Sequence, residues 1–145
     1  MPKADFKCVH RLRVRWAEVD MQKVVFNGHY LTYLDTTFAE YMRAIGLAYP
    51  DGYVDRYAND IFLRKTTIEH LGSAHYDDEL SVYCRVAKLG RTSLTFAYEI
   101  HRDEPLLAAE LVYVNVEVPS MKPAPLPEDL RARVRAYEPT APLEG

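Results

Sequence analysis

Three stretches of alternating apolar and polar residues follow one another in the second half of the chain, and they constrain its fold more than any other feature. The apolar residues fall at every second position in 80–86, 94–100 and 112–118, and this period is typical of strands. The connections, which include KLGRTS and HRDEP, have the length of hairpins and not of crossover helices. The sequence therefore predicts an antiparallel sheet, to which the less regular IFLRKTTIEHL adds a fourth strand and CVHRLRVRW a further one.

A long helix is predicted between the first strand and the others. Asn27 and Gly28 suit its N-cap region, and Gly46 suits a left-handed stop. A second, short helix is predicted for EDLRARVRAY, because acids open it and arginines close it. The apolar residues of the long helix recur at helical spacing: Tyr30, Leu34, Phe38, Tyr41, Met42 and Ile45. One apolar helix face against one apolar sheet face predicts an α+β layer pair.

Length and charge limit the classes of function. The 145 residues, 48% of them hydrophobic, predict a single domain over 1–145 with one core. A net charge of -3 with dispersed Lys and Arg disfavours nucleic-acid binding. We find neither a signal-peptide pattern nor the ~18 consecutive apolar residues of a membrane span, and so expect a soluble, cytoplasmic protein. Cys8 and Cys84 are predicted to be buried thiols, and the five histidines lack metal-ligand spacing, so no metal site is expected.

The run RVRWAEVDMQKVVFNGHYLTYLD resembles the strand, acidic loop and central helix of the hotdog-fold acyl-CoA thioesterases, specifically the 4-hydroxybenzoyl-CoA and Tol-Pal-associated branch. YDDELSVYCRVAKLGRTSLTFAYEI, LLAAELVYVNVEV and PAPLPEDL resemble later parts of that family, so the likeness covers almost the whole chain. The resemblance implies one long central helix wrapped by a curved antiparallel sheet. It also implies hydrolysis of an acyl-CoA or acyl carrier protein thioester.

The resemblance places the family's catalytic aspartate on Asp20. A carboxylate suits this chemistry because thioester hydrolysis needs a nucleophile or a base that activates water, and both roles stay open for Asp20. Helix-start amides near Gly28 and His29 are one source of hydrogen bonds to the oxyanion. The family implies another source, a backbone amide of a partner subunit near Asn59 and Asp60.

Three positions of the loop depart from the family pattern. Lys23 stands where glycine is common, Asn27 where histidine or tyrosine is frequent, and His29 where asparagine or serine is frequent. His29 is therefore a candidate to orient the acyl carbonyl, tune Asp20 or shuttle a proton, and equally a candidate for a local structural bond. Tyr30 and Tyr33 are interpreted as core aromatics.

The hairpin KLGRTS offers Lys88, Arg91 and Ser93 for binding the carrier, and Arg91 aligns with a family position that meets the phosphates of coenzyme A. No cofactor is expected beyond coenzyme A as part of the substrate. A homodimer or homotetramer is expected, because the family's site draws on two chains and the sheet has edges to protect.

Two other functions remain open. Hotdog hydratases commonly place an Asp and a His five residues apart, whereas Asp20 and His29 are nine apart. A non-catalytic acyl-thioester-binding module is the second alternative, although such a module does not require Asp20. The acyl group is not specified by the sequence; its candidate pocket residues are Phe26, Met42, Tyr57 and Phe62.

Overall fold

The computed structural model describes residues 3–145, and an antiparallel sheet forms its centre. The strand order is β1-β3-β4-β5-β2, and each neighbouring pair in this order is antiparallel, as predicted. A short final strand pairs parallel to β3. The strands are β1 (Cys8–Arg13), β2 (Asn59–His70), β3 (Glu79–Leu89), β4 (Ser93–His101), β5 (Pro105–Glu117) and β6 (Leu143–Glu144).

The central helix α1 (Asn27–Ala44) packs its apolar stripe against one face of this sheet. Phe38 shows this packing directly, because its ring lies 5.4 Å from Phe96 of β4 and 5.0 Å from Tyr113 of β5. The chain leaves the helix through Gly46 at φ +82°, which confirms the predicted left-handed stop. None of the helices within residues 3–145 has the length and apolar content of a membrane span.

The predicted N-cap is wrong by one position. Phe26 precedes the helix with extended backbone angles, and its carbonyl accepts the N–H of His29 at 2.9 Å. Asn27 and Gly28 are therefore the first two helical residues, and no side chain caps this helix start. The reason is that the chain enters the helix from a paired segment, in which Val25 bridges Val19, and not from a free loop.

Two shorter helices contribute buried residues to the core. The segment after α1 forms α2 (Asp51–Tyr57), and the predicted C-terminal helix is confirmed as α3 (Glu128–Tyr137). Buried hydrogen bonds attach these regions, since Tyr53 of α2 donates to Asn115 at 2.7 Å and Tyr41 of α1 donates to Glu138 after α3 at 2.6 Å.

Two strands differ from the simple alternation. The first strand is shorter than predicted and ends at Arg13, because the chain turns into a 3-10 helix at Trp16–Glu18 that leaves Trp16 74% exposed. Strand β2 contains a bulge between Leu63 and Lys65. This strand is an edge of the sheet, and most of its residues are exposed on both faces.

Candidate active site

Asp20 opens a tight turn between the 3-10 helix and α1. Its carbonyl accepts the N–H of Lys23 at 2.9 Å, and its carboxylate Oδ1 accepts the N–H of Gln22 at 2.8 Å. Lys23 lies in the left-handed region with φ 66°, which explains physically why glycine suits this position. One carboxylate oxygen is thus fixed by the backbone of the turn, an Asx-turn arrangement, and among residues 3–145 the other accepts no hydrogen bond.

Glu18 attaches this turn to the central helix. Its carboxylate is buried and accepts the hydroxyl of Tyr33 at 2.9 Å and the N–H of Arg15 at 2.8 Å. Its carbonyl also accepts the N–H of Phe26 at 2.9 Å. Burial would raise the pKa of Glu18, but the hydrogen bonds from Arg15 and Tyr33 outweigh it and hold the pKa below the usual 4.5. Glu18 therefore stays ionised as a brace beside Asp20.

Asp20 lines a cavity of about 230 Å³ at the end of the sheet. The structure places Asn27 in the same cavity wall, together with two residues that sequence reasoning did not assign to the site, Tyr30 and His70. The two rings lie 5.7 Å apart, and the Tyr30 hydroxyl accepts the N–H of Ala74 at 3.0 Å. Tyr30 is therefore both a core aromatic and a wall of the cavity, which corrects its interpretation as core alone.

The two predicted helix-start residues lie beside this cavity and not in its lining. The His29 ring packs edge-on against Phe26 at 5.9 Å, and the backbone N–H of His29 donates to the Phe26 carbonyl. The N–H of Gly28 makes no hydrogen bond to a backbone acceptor within residues 3–145. A β-carbon at Gly28 would lie 3.0 Å from the Phe26 ring. The first turn thus offers the Gly28 amide as a donor.

The predicted carrier-binding residues lie at the other end of the sheet. Lys88 and Arg91 are exposed, and Ser93 begins β4. Their hairpin is held to α3 by Arg131, which donates to the carbonyl of Gly90. Asp20, in contrast, lies near the end at which β2 finishes with His70. Within one chain, the structure therefore does not bring Arg91 and Asp20 together.

An apolar groove runs between α1 and β2, made of two adjoining cavities of about 280 and 290 Å³. Both cavities share Asp35, Leu63 and Tyr113 as lining residues. Of the predicted pocket residues, Phe62 lines this groove. Met42 is wrong as a pocket residue because it is fully buried in the core. Tyr57 lines none of these cavities and donates to Asp129 at 2.6 Å, and Phe26 instead covers the helix start.

The other sheet face has a different character. A cavity of about 310 Å³ there is lined by Phe6 and by residues of β2, β4 and β5, among them Glu69, Glu99 and Glu110, and contains none of the predicted site residues. No three His, Cys, Asp or Glu side chains in the described part of the chain are grouped so that they could hold a metal ion.

Similarity to known proteins agrees with this architecture. Residues 22–109 match the family model of the thioesterase superfamily. The matched stretch begins two residues after Asp20. The acyl-CoA thioester hydrolase YbgC of Escherichia coli O6:H1 is 28% identical over 126 residues, which cover 86% of this chain and 92% of YbgC. A thioesterase from Thermus thermophilus, complexed with coenzyme A and Zn, is 27% identical with a TM-score of 0.80, over 94% of this chain and 97% of that one.

A more distant structure supports the fold alone. Slr0204, a 1,4-dihydroxy-2-naphthoyl-CoA thioesterase from Synechocystis, has a TM-score of 0.79 at 20% identity, over 87% of this chain and 93% of that one. The α+β fold is thus the hotdog fold that the sequence resemblance implied. The chain belongs to the thioesterase superfamily. It is a thioesterase, an enzyme that hydrolyses a thioester to an acid and a thiol.

Proposed function

We propose that this enzyme hydrolyses acyl-CoA thioesters at the cavity beside Asp20. The observation that carries the proposal is the position of the Asp20 carboxylate, which is fixed through Oδ1 in a braced turn and lines a cavity together with the first turn of α1. A thioester carbonyl placed there would have the carboxylate on one side and the first turn of α1 on the other, where Asn27 lines the cavity and the amide of the adjoining Gly28 is the nearby donor. The amide and the positive end of the helix dipole would stabilise the oxyanion.

Two routes are compatible with this arrangement. In the first, Asp20 attacks the carbonyl carbon, coenzyme A leaves as a thiolate, and water hydrolyses the resulting anhydride. In the second, Asp20 removes a proton from water, which attacks the same carbon. His70 lies on the cavity wall and has a ring nitrogen that can donate a proton to the departing thiolate in either route.

The groove between α1 and β2 is the proposed site for the acyl group. Its walls include Phe38, Phe62 and Leu63, which would remove the apolar part of an acyl chain or ring from water. Asp35 also lines it, and Tyr49 at its rim donates to Asp60 at 2.6 Å. A panel of aromatic, short-chain and long-chain acyl-CoA substrates, assayed by thiol release, would identify the preferred acyl group.

We further propose that the working enzyme is a homodimer joined along β2. This strand is an edge whose neighbour within the described residues is β5, and Phe62 and Leu63 on it are 44% and 49% exposed. Two copies paired antiparallel along this edge would satisfy its unpaired backbone groups and cover these side chains.

The same pairing supports a shared site. Along the sheet, Asn59 and the Arg91 hairpin lie towards one end, because Phe62 and Ser93 both pair with Val114. His70 and the Asp20 cavity lie at the other end. Antiparallel pairing about a two-fold axis would bring the partner's Asn59 beside this chain's cavity, and the partner's Arg91 to the same end. The dimer would thus bring Arg91 of one chain to the same end of the sheet as Asp20 of the other, although the two residues lie far apart within one chain.

Sedimentation velocity at micromolar protein tests this assembly. We expect a species of two or four chains, and we expect Phe62→Lys, which places a charge on the β2 edge, to shift it towards monomer with loss of activity. A fully active monomer would contradict both the dimer and the shared site.

Asp20→Asn tests the catalytic role. The amide keeps the shape of the side chain and its acceptor for Gln22 but is neither nucleophile nor base, so we expect kcat to fall by about a hundredfold or more with an unchanged melting temperature. Asp103→Asn, in the exposed β4–β5 turn, is the matched control and should keep parental rates. Activity of Asp20→Asn within about tenfold of the parent, about 1.4 kcal/mol of barrier, would refute the role of Asp20.

A further inference from the structure

Cys8 and Cys84 face each other across two neighbouring strands. They are direct partners in the antiparallel register of β1 and β3, and both are free thiols. Directly opposed residues of an antiparallel pair have Cα atoms about 4.5–5.5 Å apart, which falls within the about 4.4–6.8 Å that a disulfide spans. The strand register therefore places the two cysteines at the backbone spacing that a cross-strand disulfide requires.

The surroundings make the two thiols unequal. Cys8 lies on the edge strand and is 6% exposed, whereas Cys84 is fully buried. The hydrogen bond from Cys84, and a weaker one from the Tyr137 hydroxyl, lower the pKa of Cys8, although burial and the carboxylates of Glu138 and Glu40 oppose this. Burial raises the pKa of Cys84. Both cysteines are buried, but Cys8 lies on the edge strand and its thiol ionises more readily than that of Cys84. This difference assigns Cys8 the role of the oxidant-reactive cysteine and Cys84 that of the resolving cysteine.

We propose that Cys8 and Cys84 form a reversible intrachain disulfide when the protein meets a peroxide. The thiolate of Cys8 attacks one oxygen of hydrogen peroxide, which gives a sulfenic acid on Cys8 and releases hydroxide that is protonated to water. The sulfur of Cys84 then attacks the Cys8 sulfur, the S–S bond forms, and the sulfenic oxygen leaves as a second water with the proton of Cys84. Two thiols are oxidised and one peroxide is reduced to two waters, and a dithiol reductant reverses the change.

A disulfide between Cys8 and Cys84 would attach the edge strand β1 covalently to β3. Strand β1 has only six residues, and in the described part of the chain it pairs along one side, with β3. The segment before it is held by the buried Phe6 ring, 5.7 Å from Tyr83, and by exposed contacts such as the hydroxyl of Thr140 donating to Asp5 at 2.8 Å. A link from residue 8 to residue 84 closes a long loop in the unfolded chain, which predicts a melting temperature about 10 °C higher for the oxidised protein.

Peptide mapping of the purified, folded full chain tests the proposal. The chain is treated with hydrogen peroxide, unfolded in iodoacetamide and digested with trypsin, which cuts after Lys7, Arg11, Lys65 and Arg85. We expect a linked pair of peptides, 8–11 and 66–85, with a mass two hydrogens below their sum, and we expect dithiothreitol to restore both alkylatable thiols. The Cys84→Ala control should give no linked pair and should instead leave a dimedone-reactive sulfenic acid on Cys8.

Three outcomes would overturn the proposal. One is that both thiols of the parent remain alkylatable after peroxide treatment. The second is that Cys8 is oxidised to sulfinic acid without a link to Cys84, and the third is that the link joins two chains on a non-reducing gel. If Cys84→Ala does not fold, the peptide map of the parent still decides among these outcomes. A lower melting temperature after oxidation would show that the strands do not hold the sulfurs in bonding geometry.

Discussion

Replacing Glu18 by alanine should destabilise the fold and slow hydrolysis together. The Tyr33 hydroxyl, on a residue only 4% exposed, would lose its acceptor at 2.9 Å, and a buried unsatisfied group costs about 1–3 kcal/mol. The Arg15 side chain is 77% exposed, so its ion pair adds only about 0–1 kcal/mol. The lost hydrogen bond to the N–H of Arg15 brings the expected destabilisation to about 3 kcal/mol, which corresponds to a fall in melting temperature of roughly 10 °C.

Thermal unfolding and steady-state thiol release, measured on the same preparations, check this prediction. Glu18 lies two residues before Asp20, and its side chain ties this turn to Tyr33 of the central helix, so loss of the side chain should displace Asp20 and lower kcat more than it raises KM. Tyr33→Phe is the matched variant, because it removes the hydroxyl and leaves the Arg15 contacts. In the double variant, the losses should be smaller than the sum of the single losses, since both changes remove one shared hydrogen bond.

The pH dependence gives a second test of the same brace. The folded-state pKa of Glu18 is held below its usual 4.5, so its contribution is fully present above about pH 4.5 and is lost as the pH falls through the folded-state value. The difference in melting temperature between the parent and Glu18→Gln should therefore shrink on acidification. A Glu18→Ala variant that melts within about 2 °C of the parent and keeps its kcat would refute the reasoning.

The remaining predictions concern the carrier and the two histidines. Arg91→Ala should raise KM for acyl-CoA thioesters and leave short thioesters without the nucleotide unaffected, because a guanidinium pairs with phosphate oxygens far from the reacting carbon. Equal effects on both kinds of substrate would show that Arg91 has a structural role. Arg56→Ala, at an exposed position of α2, is the control variant. His70→Ala should lower kcat at least tenfold, and His70→Asn should restore little of the rate if the imidazole transfers a proton. His29→Ala should have the smaller effect on kcat, because His29 does not line the Asp20 cavity; the reverse order of the two effects would contradict this assignment.

The regular elements could be predicted because local and tertiary preferences agree there. The period of two in β3, β4 and β5 and the helical stripe of α1 reflect burial against one shared core, which the sequence carries directly. Gly46 marks the end of α1 because glycine adopts the left-handed conformation easily, and this preference does not depend on the neighbouring residues. The helix start was harder to predict, because Asn27 is a good cap in isolation and only the Val19–Val25 bridge fixes the actual cap at Phe26.

The candidate site was predictable to a lesser extent. Asp20 came from the family resemblance, and nothing in its own spacing distinguishes a catalytic carboxylate from the Asx-turn that the structure also shows. Glu18 gave no separate signal, because its partner Tyr33 lies fifteen residues away on the helix. The groove residues depend on which strand packs beside α1, and the sequence order does not give the position of β2 at the sheet edge. The cytoplasmic location stays a prediction.

His70 could not be predicted because a bulge changes the phase of its strand. Ile61 and Leu63 face the helix side, where they line the groove. Strict alternation from these two residues would direct Glu69 to the helix and His70 to the opposite face. The register shift between Leu63 and Lys65 inserts one residue, so that His70 meets Tyr30 while Glu69 lines the cavity on the outer face. The irregular alternation of IFLRKTTIEHL therefore results from a bulge. This bulge places the imidazole of His70 in the wall of the cavity that Asp20 lines.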